Sequence, residues 1–104
     1  MNTTYKNSDR LGSTTFGQAR QASVQLALDL AIRANDPKAV SETIVAELAP
    51  RDVESAGYVT VAALECLTKN ILWPLMETLE EIGADPRKTL SNVREQLLEA
   101  QNND

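Results

Sequence analysis

The stretch Val61 to Ile82, VAALECLTKNILWPLMETLEEI, decides the fold class. Val61, Leu64, Thr68, Ile71, Leu72, Leu75, Leu79 and Ile82 recur in steps of three and four, which places them on one stripe of an α-helix. Pro74 interrupts the stretch. A proline inside a helix removes one hydrogen bond and clashes with the preceding turn, at about 3 kcal/mol unless the helix bends. The stripe keeps its phase across Pro74, so the spacing predicts one long helix over 59–82, kinked at the proline. Upstream, Tyr58-Val59-Thr60-Val61 has strand-like residue types, but a lone strand would leave its ladder groups unpaired. It reads as the entry to the long helix. Asp52 to Ala56 reads as a short turn of helix stopped by Gly57.

Moving outward, each neighbouring helix carries its own start signal. Asp36-Pro37 and Asp85-Pro86 each join a favoured N-cap to a proline at the first helical position. They predict helices over 37–49 and 86–100. Gly83 supplies a left-handed residue that ends the long helix before the second of them. Thr15 and Gln18 form a capping-box pair, opening a first helix over 15–34. Residues 1–14 are rich in Asn, Thr and Ser and read as a flexible arm. The expectation is all-α: a single helical domain over 15–104, a compact bundle of four to five helices. Leu26, Leu30, Ile44, Leu48, Leu64, Ile71, Leu75, Leu79, Val93 and Leu97 are the expected core.

Composition narrows the chemistry. The chain has 104 residues, no histidine and one cysteine. One thiol closes no disulfide, and Ser-His-Asp or Cys-His catalysis needs a residue the chain lacks. Cys66 therefore reads as an inert thiol. Glu77, Glu80 and Glu81 cluster on the long helix, but no pocket-forming residues accompany them and the spacing is not that of a calcium loop. No catalytic residue, cofactor or metal is expected. The N-terminal residues lack an apolar signal core, and no segment nears the roughly 20 apolar residues of a membrane span. A cytoplasmic location is the expectation.

Two surfaces remain as candidates for function. The first helix is apolar over about twice the ~100° arc that a surface helix buries. Phe16, Val24, Leu28 and Ile32 on that helix, with Cys66, Trp73 and Met76 on the long one, are the candidate interface for a second copy of the chain. The charge is also uneven. Residues 1–35 carry net +2, residues 36–86 net -7, and residues 87–104 balance at zero. Glu42, Glu47, Asp52, Glu54, Glu77, Glu80 and Glu81 are the candidate acidic docking face for a basic partner. The reading is a small non-catalytic interaction or regulatory module, expected to be a homodimer. The alternative is a DNA-binding regulator with a helix-turn-helix-like segment near Gly57. The acidic balance and the scarcity of cations on the would-be recognition helix argue against nucleic acid.

Overall fold

The computed structural model describes residues 10, 11 and 14–102. Most of the expected arm, residues 1–14, lies outside them. Two short strands come first, β1 (Arg10–Leu11) and β2 (Thr14–Thr15), paired antiparallel with Arg10 opposite Thr15. The remaining elements are helical: α1 (Phe16–Ile32), α2 (Pro37–Leu48), α3 (Val53–Cys66), a π-helical segment (Leu67–Leu72), α4 (Trp73–Glu81) and α5 (Pro86–Asn102). The all-α expectation holds. Contacts divide the chain into two units, the first ending at Ile71 and the second beginning at Leu72.

The start signals act as local chemistry predicts. The Gln18 backbone N–H donates to Thr15 Oγ1 and the Thr15 N–H to Gln18 Oε1, both at 3.2 Å, closing the capping box of α1. Asp36 Oδ1 accepts from the Ala39 N–H at 3.2 Å, and Asp85 Oδ1 from the Lys88 N–H at 3.1 Å. Gly83 has φ +90°. Its N–H donates to the Glu80 carbonyl at 3.1 Å and the Ala84 N–H to the Leu79 carbonyl at 2.9 Å, a complete Schellman motif.

The region around Gly57 differs from expectation. Asp52 caps α3, accepting from the Ser55 N–H at 3.2 Å, and the helix then runs straight through Gly57. There is no turn at Gly57. A mid-helix glycine costs about 1 kcal/mol relative to alanine. Packing of Val59 and Ala63 against α1 offsets it. Helical backbone continues from Val53 to Glu81, and Pro74 sits in the first turn of α4, directly after the π-helical segment. The π-helical turns widen the backbone ladder where the proline ring would crowd the carbonyl four residues back.

The core of the first unit is made of small side chains. Ala19, Leu26, Val59 and Ala63 are buried together, with Phe16, Ala22, Leu30, Leu48 and Tyr58 packed around them. Ser23 and Ser55 are also buried. Along α1, Ala19, Ser23 and Ala27 repeat at intervals of four; along α3, Ser55, Val59 and Ala63 do the same. Such a ridge seats in a facing groove with little bulk between the backbones. Both buried hydroxyls have hydrogen-bond partners. Ser23 Oγ donates to the Ala19 carbonyl at 2.7 Å, and Ser55 Oγ donates to Thr14 Oγ1 at 3.3 Å.

Much of the expected core is therefore corrected. Leu26 is buried and Leu30, Leu48 and Ile71 are half-buried, but Ile44, Leu64, Leu75, Leu79, Val93 and Leu97 are exposed. Small residues take the α1–α3 contact, and the large aliphatics are displaced to its flanks.

Candidate interaction surfaces

In the first unit, Val24, Leu28 and Ile32 follow one another at intervals of four along the outer side of α1, and Ile32 is 77% exposed. Phe16, placed with them by the sequence, instead packs on the core against Tyr58. Val24 borders a shallow groove shared with Cys66, Arg20, Glu65 and Lys69. The Lys69 ammonium lies 3.5 Å from Glu65, and Asn70 Nδ2 donates to Cys66 Sγ at 3.7 Å. That thiol is half-buried and flanked by polar groups. A second cleft of about 100 Å³, lined by Leu26, Leu30, Ile44, Leu48 and Leu64, is almost wholly apolar.

The second unit is a two-helix hairpin, α4 against α5. Met76 and Pro86 are buried in it. Around Met76 lies an open groove of about 380 Å³ walled by Leu72, Leu75, Leu79, Pro86 and Leu90. Leu75 and Leu79 on α4, Leu72 and Ile82 flanking it, and Leu90, Val93 and Leu97 on α5 are all exposed. Their steps of three and four are those of a coiled-coil seam. Trp73, 49% exposed, is not part of that groove. The Arg87 guanidinium lies 5.7 Å from its ring centroid, and Arg87 Nε is 3.4 Å from Glu80 Oε1. Of the proposed interface residues, then, the structure gathers Val24 with Cys66 at one groove. It keeps Met76 inside the hairpin and leaves Trp73 beneath a cation.

Several acidic candidates have structural partners. Glu47 Oε1 is 2.7 Å from Arg51 Nη2. Asp52 and Glu80 act as described above, and Glu42 sits 4.0 Å from Lys38 in an exposed pair. Glu54, Glu77 and Glu81 are exposed and have no ion pair among the described residues.

Sequence reasoning missed three features. Arg51 joins the ends of two helices: it donates through Nε to the Glu47 carbonyl and through Nη1 to Ser55 Oγ, both at 3.0 Å. Ser23 and Ser55 are buried although polar, and their four-residue spacing with Ala19, Ala27 and Ala63 is the signal that marks them. Arg33 donates to Thr43 Oγ1 at 2.8 Å, tying the end of α1 to the buried side of α2. No group of three metal-ligating side chains occurs among the described residues, and no helix there is long and apolar enough to cross a membrane. Comparison with protein-family models, with curated proteins and with solved structures finds no match for this chain.

Proposed function

We propose that this chain is a small, non-catalytic interaction module that works as a homodimer. One observation carries the reading: in both units many large aliphatic side chains face outward, and in the first unit small ones fill most of the core. Leu28, Ile32, Val45 and Leu64 are exposed in the first unit, and Leu75, Leu79, Ile82 and Leu97 in the second. Single exposed leucines need no explanation, but contiguous apolar faces mark surfaces that another protein covers. The absence of histidine from the chain agrees with a binding role. Glu54, Glu77 and Glu81 add negative charge that steers a basic partner toward the assembled dimer. Regulation through such a partner is the biological consequence we infer.

Sedimentation equilibrium of the full chain at micromolar concentration tests the dimer. The expected result is a mass of two chains. A strict monomer with no binding of an apolar-surface dye would sink the proposal.

A further inference from the structure

We infer that the π-helical segment Leu67–Leu72 is a built-in joint, which opens and recloses locally while the helices on either side stay folded. Each unit thereby keeps its own fold when the connection between them yields. The inference stands independently of the homodimer reading.

The backbone ladder is weakest there. Helical backbone runs from Val53 to Glu81 and departs from α geometry in this segment. Pro74, two residues beyond it, has no N–H to donate. An α turn needs that donor at the Asn70 carbonyl and a π turn needs it at the Lys69 carbonyl, so one bond is missing whichever way the segment winds. The proline ring also opposes a return to α geometry. For α4 the same proline is harmless, because it occupies the first turn, where N–H groups have no partner within the helix. That helix can begin at Trp73 with the segment open.

Side-chain packing does not compensate. From Leu64 to Leu75 no residue is buried, although Val59 and Ala63 before this stretch and Met76 after it are. The side-chain bonds that the described residues place on the segment stay within one helical turn. Thr68 Oγ1 donates to the Leu64 carbonyl at 2.8 Å, Asn70 Nδ2 donates to Cys66 Sγ at 3.7 Å, and the Lys69 ammonium pairs with Glu65 at 3.5 Å. A threonine bonded back to the carbonyl four residues earlier favours a bend. Few buried side chains and exposed backbone bonds are the properties of a segment that opens below the global unfolding free energy.

The segment is also where the chain passes from one unit to the other. Leu67 lines the apolar cleft of the first unit, and Leu72 lines the groove around Met76 in the second. Residues 68–71 line neither, and the boundary between the units falls after Ile71. Opening of those four residues leaves both apolar surfaces in place.

Native-state amide hydrogen exchange of the full chain, read by NMR at increasing sub-denaturing urea, tests the joint. Corrected for intrinsic rates, the amides of residues 68–72 are expected to exchange roughly 100-fold faster than those of Val59 and Ala63. Their rates should be nearly independent of urea, since a local opening exposes little surface. Pro74→Ala restores the donor and removes the ring. It is expected to slow exchange in the segment, and tryptic cleavage after Lys69, by about 10-fold. Segment amides that exchange no faster than those of Val59 and Ala63, or that follow the same steep dependence on urea, would overturn the joint. So would exchange of the segment together with all of α4 and α5, which would mean that the hairpin unfolds instead. Unchanged exchange and cleavage in Pro74→Ala would remove the proline from the device and overturn the inference as stated.

Discussion

The ring of Phe16 meets the ring of Tyr58 edge-on, with centroids 5.7 Å apart and planes at 79°. This contact joins the first residue of α1 to α3 and explains why Phe16 is not an exposed interface residue. Edge-to-face pairs contribute about 0.5–1.5 kcal/mol beyond the area they bury. A double-mutant cycle of Phe16→Leu and Tyr58→Leu should give a coupling of about 1 kcal/mol in denaturant unfolding. Strict additivity would remove the ring contact as a stabilising element.

Adjacent positions on α3 reverse the usual ranking by size. Ala63 is buried at the α1 contact, whereas Leu64 is 58% exposed. Ala63→Leu should therefore destabilise by about 2 kcal/mol through overpacking. Leu64→Ala, which truncates the larger and more apolar side chain, should cost less than about 1 kcal/mol. Chemical denaturation of the two variants checks the order, and a larger loss for Leu64→Ala would contradict a core of small residues.

Two glycines give opposite signs for the same substitution. Nothing lies within 4 Å of a Cβ added at Gly57 or at Gly83, so sterics do not separate them. Gly57 is helical, and Gly57→Ala should stabilise by about 0.5–1 kcal/mol. Gly83 has φ +90°, and Gly83→Ala should destabilise by about 1 kcal/mol. Thermal unfolding monitored by circular dichroism reads both. A destabilising Gly57→Ala would revive a turn at that position.

Arg51 spans the ends of α2 and α3 with one guanidinium. It holds the Glu47 carboxylate, the Glu47 carbonyl and Ser55 Oγ at once. Charge-assisted bonds of this kind are worth about 1.5–3 kcal/mol when partly buried, so Arg51→Ala should cost about 2 kcal/mol. Arg51→Lys should recover less than half of the loss, because an ammonium lacks the planar fork. Full rescue by lysine, measured by urea unfolding, would reduce the contact to a point-charge pair.

These variants also mark what the sequence made legible. Thr15, Asp36, Gly83 and Asp85 act within one turn of chain, and each is readable because its hydrogen-bond partner is three to five residues away. The π-helical segment was not readable beyond the bend implied by Pro74. Gly57 misled because intrinsic preference is a small term and the packing of Val59 and Ala63 outweighs it. The core misled for a different reason. Ranking Leu, Ile and Val first assumes that burial follows apolar size, whereas the α1–α3 contact is filled by Ala19, Ser23, Ser55 and Ala63. The same displacement left the aliphatics of α4 and α5 exposed. Their periodic stripe was visible in the sequence; that a second helix would leave it open was not.

The connections between helices also set an order of assembly. The α4–α5 pairing closes over four residues, Ile82–Asp85, and its Schellman turn forms from local bonds alone. The α1–α3 pairing must close over the twenty residues Arg33–Asp52, which include all of α2. By loop length alone, that closure carries about 1.4 kcal/mol more entropic cost. The hairpin thus forms as early as the α1–α2 and α2–α3 contacts, which also close over four residues, and ahead of α1 with α3. A Gly83→Ala change should slow its formation, while Ala63→Leu should act on the slower pairing of α1 with α3.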